Sequence, residues 1–354
     1  MFIPAYFFIM AVCASFAFIE RDEAEKNRYE QLAYVVFVMV MFCIAAFRPI
    51  GFDNDSLNYV ALFNGQTNDD VEMELSFNLI VDTIRRFTDE PRVLFVVYAL
   101  LAIPIKAVGM ARASRYWMLT LVTWMGYYFI YQDFTQIRIA VSTGIFLFAL
   151  SFHARGQKGV TLLLYLLAIF FHSTAVAYLP LLFMGAKPLG KWGTWVLALL
   201  PAGALMINLL HIDPIVMLPI PQLQVRIDLY EKLRDSGVMG DEVNSFNIVF
   251  LSKLAIFYFI LWKRNIIAER APWLTLYLKV FVYSICTFLI FSFLPVMAFR
   301  LSEVTGVIEI LLFPCIVYAF REEVYGKLVV VLYAFMQTIQ AFVLTHDTLN
   351  PDQV

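Results

Sequence analysis

Charged side chains are scarce in this 354-residue chain, which excludes most soluble folds. Asp, Glu, Lys and Arg make up 15% of it, against roughly 25% in soluble domains. Hydrophobic residues make up 61%. Because so little polar surface cannot cover a water-soluble globule of this size, lipid is the expected solvent for most of the surface. The net charge of −2 argues against a nucleic-acid partner, and the lack of a long basic tract argues against electrostatic docking on anionic lipid as the main function.

Cysteine and histidine are also few, and neither forms a recognisable motif. The four cysteines lie inside apolar runs without a CxxC pair, which favours buried apolar side chains over a disulfide or a metal site. The four histidines are far apart, and no HExxH, Walker or dinucleotide-binding motif is present. The sequence therefore predicts no metal and no cofactor, and it disfavours an ATP-driven pump.

Long apolar runs dominate the rest of the chain. Each is continuously apolar, whereas barrel strands would alternate in polarity, so helices are expected. The runs cover residues 2–19, 32–47, 93–110, 117–130, 134–152, 160–184, 192–210, 246–262, 272–294, 301–320 and 328–345. We predict an all-α fold in one domain, 1–354, a polytopic transmembrane helical bundle of about 11–12 spans.

Two polar stretches, about 48–92 and 211–245, are too long to be simple turns. Both contain apolar residues at helical spacing, which predicts amphipathic helices at the membrane surface. Short loops rich in Lys and Arg stay in the cytoplasm, and their distribution places both stretches on the outer face.

The run 160–184 raises a problem of parity, because the basic loops on either side of it both belong in the cytoplasm. A reversal at His172, followed by Ser173 and Thr174, would make a hairpin with two short limbs. The alternative is one long tilted helix with one loop that breaks the charge rule.

Arginines near the outer ends of apolar runs are candidates for binding a pyrophosphate. The guanidinium of Arg48, Arg138 or Arg300 offers a fork of donors to phosphate oxygens. For any one of them alone, snorkelling to lipid headgroups is the simpler interpretation. Helical spacing pairs a charged residue with a tyrosine four positions later in each outer stretch: Asp55 with Tyr59 in the first, and Arg226 with Tyr230 in the second.

Several short motifs together resemble the EpsG-like branch of the Wzy-type polysaccharide polymerases. Arg48-Pro-Ile-Gly-Phe-Asp-Asn-Asp55-Ser-Leu-Asn-Tyr59 resembles an Arg…Gly-x-Asp-x-x-x-Tyr element, and Glu74-Leu-Ser-Phe77 resembles Glu-Pro-Gly-Phe. Ile137-Arg138-Ile-Ala resembles Ile-Arg-Gln-x-Ala, Phe171-His172-Ser173-Thr174-Ala175 resembles Phe-His-Ser-Ser-Ala, and Phe299-Arg300 resembles a late Arg. Asp53, where the family usually has Gly, and Ile139, where it often has Gln, depart from the pattern.

The resemblance implies a metal- and nucleotide-independent glycosyltransferase at the outer face of a bacterial cytoplasmic membrane. Such an enzyme moves a growing glycan from polyprenyl pyrophosphate to the next lipid-linked repeat unit. Membrane lipid, the lipid-linked oligosaccharide, a chain-length regulator and a flippase are then the candidate partners. The expected catalytic residues are Asp55, Glu74 and His172, and the expected substrate-binding residues are Arg48, Tyr59, Gln136, Arg138, Arg226, Tyr230 and Arg300.

Two other functions and one structural explanation stay open from the sequence. A transporter or flippase of the same lipid-linked sugar would also need basic residues in a membrane cavity. A non-catalytic partner of a polysaccharide assembly machine is the second alternative. His172 has an explanation of its own, as a neutral imidazole that hydrogen-bonds a neighbouring helix.

Overall fold

The structure, a computed structural model, describes residues 2–19, 28–66, 73–210, 212 and 248–345. Within these ranges it is helical and contains no strand, so the all-α prediction is confirmed. Among the described residues, seven helical stretches are long and apolar enough to cross a membrane, and five shorter helices are apolar as well. The α-helices are α1 Phe2–Ile19, α2 Arg28–Ala46, α3 Asn54–Phe63, α4 Leu75–Arg85, α5 Arg92–Ala113, α6 Trp117–Gly126, α7 Ile137–Ala154, α8 Lys158–Phe171, α9 Lys191–Leu209, α10 Ile248–Trp262, α11 Arg264–Arg270, α12 Leu274–Ile290, α13 Pro295–Gly306, α14 Glu309–Leu312 and α15 Glu323–Thr345.

Three helical segments in the described part of the chain depart from α-helical geometry. A π-helix, Phe129–Thr135, joins α6 to α7, and 3-10 helices form at Ser173–Phe183 and Phe313–Ala319. The chain forms two compact units, Met1–Leu182 with Glu309–Val354, and Phe183–Ile308. The expectation of a single domain stays a prediction.

The first unit is built around a close crossing of α5 and α7. A Cβ atom on Gly109 of α5 would lie 2.7 Å from the backbone nitrogen of Phe148. A Cβ atom on Gly144 of α7 would lie 3.0 Å from the carbonyl oxygen of Ala102. Glycine at both positions therefore lets the two backbones approach, as small residues do between membrane helices.

Hydrogen bonds to backbone carbonyls attach two further helices of this unit. The hydroxyl of Tyr34 in α2 donates to the carbonyl of Ala107 in α5 at 2.7 Å. The hydroxyl of Tyr6 in α1 donates to the carbonyl of Met125 in α6 at 2.5 Å. Because a buried phenol needs a partner, these bonds also fix how each helix is rotated about its axis.

The chain reverses its direction at His172, as the hairpin hypothesis predicts. Residue His172 is extended (φ −154°, ψ 125°) between α8 and the following 3-10 helix. The rings of Tyr165 and Tyr178 lie 5.4 Å apart, centroid to centroid, and both contact Phe146. In one continuous helix those 13 residues would span roughly 20 Å, so the single long helix is wrong.

Two amphipathic helices form in the first of the two polar stretches, 48–92. In α3 the side chain of Asp53 caps the first turn by accepting a hydrogen bond from the Ser56 amide at 2.7 Å. In α4 the buried face consists of Ser76, Phe77, Val81 and Ile84, which confirms the helix predicted there. The corresponding helix predicted in 211–245 lies outside the described residues.

The second unit contains α9 to α13. The hydroxyl of Ser284 in α12 donates to the carbonyl of Ser302 in α13 at 2.7 Å. The ammonium of Lys279 donates to the carbonyl of Gly185, also at 2.7 Å. These bonds satisfy polar groups on otherwise apolar helices.

Candidate functional site

The carboxylate of Glu74 is the centre of a polar cluster in the first unit. Glu74 precedes α4, and its Oε2 atom pairs with Nη1 of Arg138 in the first turn of α7. Its Oε1 atom contacts Nδ1 of His172 at 3.0 Å and accepts a hydrogen bond from the amide of Ser173 at 3.3 Å. Two other sequence motifs, 64 to 99 residues after Glu74, therefore meet at its carboxylate.

The break at His172 explains why that side chain and the next amide reach the same oxygen. A helix that continued past Phe171 would use the Ser173 amide for its own hydrogen-bond ladder. Because the chain is extended at His172, that amide is available to Glu74 instead. The same break in the helix therefore produces the hairpin and supplies two of the groups that contact Glu74.

The pKa of Glu74 determines the protonation of its neighbour. Burial alone would raise this pKa, but the hydrogen bond with His172 and the positive charge of Arg138 outweigh it and lower the pKa to about 2. An ionised carboxylate can only accept hydrogen bonds, so Nδ1 of His172 must be the donor. A neutral His172 then has its lone pair on Nε2, the arrangement found where a carboxylate orients a histidine base.

Aromatic rings line the site beneath Arg138. Its guanidinium carbon lies 5.8 Å from the ring centroid of Tyr59 and 5.9 Å from that of Phe77. The side chains of Arg138 and Glu74 are 19% and 15% exposed, so the pair is sheltered but reachable. Atom Nε of Arg138 is buried without a hydrogen-bond partner among the described residues.

Arg48 occupies a second, fully buried position, and the ring it packs on neighbours that of Tyr59. Its guanidinium carbon lies 4.2 Å from the ring centroid of Phe95, and that ring is 6.4 Å from the ring of Tyr59. Nε of Arg48 is 4.0 Å from Oδ2 of Asp53, but its three guanidinium nitrogens have no hydrogen-bond partner within the described ranges. Burial lowers the pKa of Arg48 and raises that of Asp53, and each charge partly offsets the shift of the other.

Tyr98 was missed by the sequence reasoning. It lies in α5, fully buried, with its ring 6.3 Å from that of Phe77. Its hydroxyl lacks a hydrogen-bond partner in the part of the chain that the structure describes. Buried hydroxyls normally have one, which makes Tyr98 a further candidate for contact with a polar ligand. A tyrosine inside an apolar run gives no signal of this kind in the sequence.

The remaining predicted site residues are distributed more widely. Tyr59 is buried in α3, and Asp55 is half-buried in the first turn of that helix. Gln136 lies half-buried between the π-helix and α7. Arg300 is exposed on α13 in the second unit. Arg226 and Tyr230 lie outside the described residues, and the functional roles of the whole set stay predictions.

The described residues contain no group of three His, Cys, Asp or Glu side chains that could hold a metal ion. The site consists instead of the Glu74 carboxylate with one imidazole and one guanidinium group, the neighbouring pair of Arg48 and Asp53, and several aromatic rings. This arrangement can bind an anion and orient a hydroxyl group.

The fold and the site together define a multi-pass membrane protein with a sheltered acid–histidine–arginine cluster. The chain matches the sequence model of the EpsG family over residues 31–353, and it belongs to that family. The family indicates a membrane protein with a role like that of a polysaccharide polymerase. Comparisons with curated proteins and with solved structures gave no match.

Proposed function

We propose that this protein is a polysaccharide polymerase of a bacterial cytoplasmic membrane, with its site on the outer face. It transfers a growing glycan from polyprenyl pyrophosphate to the next lipid-linked repeat unit. The observation that carries this proposal is the single carboxylate, Glu74, that holds both His172 and Arg138. A carrier without chemistry needs anion-binding groups but no oriented histidine.

The proposed reaction breaks one bond and forms one. The acceptor hydroxyl attacks the anomeric carbon of the donor sugar while its proton passes to Nε2 of His172. The bond from that carbon to the pyrophosphate oxygen breaks, and its electron pair leaves with the pyrophosphate. Arg138 stabilises the developing negative charge through its planar donors, and Arg48 adds a second positive charge.

Glu74 has an orienting role in this scheme. With a pKa of about 2, it is a weak base at neutral pH, but its charge holds the imidazole tautomer and the guanidinium fork. Asp55, in the first turn of α3, is the second carboxylate proposed to contact the acceptor sugar. Neither metal nor nucleotide is required, because the lipid pyrophosphate is already an activated leaving group.

The lipid chain of the substrate is proposed to lie between α2 and α5. An apolar groove of about 510 Å³ follows these helices, within the range of ligand pockets. Arg48 comes two residues after the end of α2, and Phe95, on which it packs, belongs to α5. A chain in this groove would therefore point toward the two arginines.

A matched pair of substitutions on α2 tests the groove. Val35 lines it, whereas Val36 does not, and the two side chains are 57% and 50% exposed. Val35→Trp is expected to raise the KM for the lipid-linked unit several-fold, while Val36→Trp leaves it unchanged. Equal KM values for the two variants would remove the groove from the proposal.

Reconstitution of the purified protein tests the reaction itself. Proteoliposomes that contain only this protein and lipid-linked repeat units are expected to form long polymer and to release polyprenyl pyrophosphate in step with each linkage. EDTA and the absence of nucleotide should leave the rate unchanged. Translocation of labelled units without elongation would instead identify a transporter, and neither event would identify a non-catalytic partner.

Labelling of introduced cysteines tests the orientation. Cysteines at Asn68 and Gly237 are expected to react with an impermeant thiol reagent from outside, and cysteines at Gly156 and Gly190 are not. Labelling of Gly156 but not of Asn68 would invert the proposed topology.

A further inference from the structure

A second ion pair lies in the first unit, and the proposed reaction does not use it. Nζ of Lys106 in α5 contacts Oδ2 of Asp133 at 2.5 Å, and the two side chains are 0% and 1% exposed. Nε1 of Trp124 in α6 donates to the same oxygen at 2.8 Å. Lys106 lies inside an apolar run of the sequence and Asp133 lies between two of them, where ionisable groups are costly and usually have a function.

Stability gives a poor explanation for this pair. Replacing a buried ion pair by uncharged groups of similar shape is often neutral or stabilising. In addition, Oδ1 of Asp133 is buried without a hydrogen-bond partner among the described residues, so the carboxylate is only half satisfied. A role in holding neighbouring segments in position explains better why two charges are buried here.

Asp133 lies in the π-helix Phe129–Thr135, which leads directly into the site. π-Helical turns are rare in proteins, and those that occur are often found at functional sites. This segment therefore needs contacts that hold it in place. Gln136 follows the segment, and Arg138 lies in the first turn of α7, only five residues after Asp133. The direction of the Arg138 side chain therefore depends on how the π-helix is held.

Lys106 belongs to the helix that forms the opposite wall of the site. Tyr98 and Phe95 lie on α5 eight and eleven residues before Lys106, a distance of roughly 12–17 Å along the axis. The ion pair thus joins the helix that carries these rings to the segment that carries Arg138.

We propose that Lys106 and Asp133 form a positioning pair, which holds the π-helix against α5 so that Arg138 points at Glu74. Neither residue contacts the reacting atoms. The expected effect of this pair on turnover rests on the proposed function. Its expected effect on the stability of the π-helix does not.

The test removes both charges and keeps the shapes. In the variant Lys106→Met/Asp133→Asn, the asparagine still accepts the hydrogen bond of Trp124, so the protein is expected to melt near the wild type. Turnover in the reconstituted assay should fall roughly 100-fold, as for a misplaced catalytic group, with a smaller change in KM. Hydrogen exchange of the amides in 129–138 should become about 10-fold faster, because local opening is easier without the pair.

A matched control is the variant Glu323→Gln/Lys327→Met. It also removes one positive and one negative charge from the first unit, where Nζ of Lys327 lies 3.8 Å from Oε2 of Glu323 at the start of α15. Its turnover and its exchange in 129–138 should match the wild type.

Asp133→Glu is the second variant, for use if the double variant does not fold. It keeps both charges and shifts the carboxylate by one methylene, and it should lower turnover without a matching loss of stability. Wild-type turnover and exchange in the double variant, or wild-type turnover in Asp133→Glu, would overturn the proposal. If the wild-type protein makes no polymer, the proposed function fails, and exchange in the double variant alone decides the role of the pair.

Discussion

Arg138 and Arg48 both lie over aromatic rings, but they differ in what their guanidinium nitrogens contact. Arg138 pairs with Glu74 and stays partly exposed, whereas Arg48 is buried, lies 4.0 Å from Asp53 and has no hydrogen bond within the described ranges. A partly exposed arginine that is already oriented by a carboxylate can meet a ligand without rearrangement. A buried arginine whose N–H groups have no acceptor can attract a ligand only through its charge, or can bind the ligand after a local movement exposes it.

The difference indicates that the two arginines have different roles. Arg138 is expected to contact the pyrophosphate directly and so to affect the chemical step. Arg48 is expected to contribute mainly to ground-state binding. The substitutions below separate these effects, from the largest expected change to the smallest.

The largest effect is expected for Arg138. Arg138→Ala should reduce polymer formation by a factor of at least about 100, the typical cost of one donor to a developing negative charge. Arg138→Lys should restore little, because a point charge cannot replace the planar fork. Arg86→Ala, at the exposed end of α4, is the matched control. Wild-type polymer from Arg138→Ala at equal protein level would reduce Arg138 to an anchor at the membrane surface.

His172→Gln is expected to have the next largest effect. If His172 is the base, the variant should bind the lipid-linked unit and melt near the wild type, but turn over about 100 times more slowly, the lower end of what general base catalysis contributes. A packing role predicts the opposite pattern, a less stable protein with normal turnover. Melting temperature and single-turnover rate, measured on the same purified sample, distinguish the two roles.

These residues also show how far sequence reasoning extends. Continuous apolar runs predict the helices, because the requirements of a lipid solvent are local and repeat along the chain. Charge parity made a reversal at His172 one of two alternatives, and the contact between Tyr165 and Tyr178 decides for it. The sequence placed Glu74, Arg138 and His172 in separate motifs. Only the structure shows that Arg138 and His172 both contact the carboxylate of Glu74.

Other features had no sequence signal at all. Lys106 and Asp133 are 27 residues apart and lie in or beside runs predicted as ordinary spans, so their pairing could not be inferred. The π-helix depends on tertiary contacts, and no composition rule identifies it. Asp53 appeared only as a departure from the family pattern, yet it caps α3 and lies beside Arg48. Contacts between residues that are far apart in the chain cannot be inferred from a single sequence.

A double substitution sharpens the comparison at Arg48. In Arg48→Met/Asp53→Asn both buried charges are removed, and the asparagine can still cap α3, since Asn is among the best N-cap residues. The KM for the lipid-linked unit should rise about 10-fold with a smaller change in kcat, as expected when ground-state binding is lost. An unchanged KM would mean that Arg48 only packs against Phe95.

The smallest effect expected is on stability in acid, and it tests the carboxylate that orients Arg138. The pKa of Glu74 is about 2 in the folded protein, below its ordinary value of 4.5. The stabilisation from this group is therefore complete above about pH 4.5 and is lost as the pH falls toward 2. Glu74→Gln should lower the Tm at neutral pH and flatten its decline between pH 4.5 and 3.

Glu90→Gln provides the control for this measurement, because Glu90 is an exposed acid that pairs only loosely with Arg92, at 3.8 Å. Its melting curves should follow those of the wild type at every pH. A loss of about 1 kcal/mol shifts the Tm by roughly 2–4 °C in a domain of 150–250 residues, which scanning calorimetry resolves. If the wild type and Glu74→Gln instead lose Tm in parallel between pH 4.5 and 3, then Glu74 does not hold Arg138 and His172 as charged partners. Arg138 would then have no more orientation from its surroundings than Arg48, and the contrast between the two arginines would disappear.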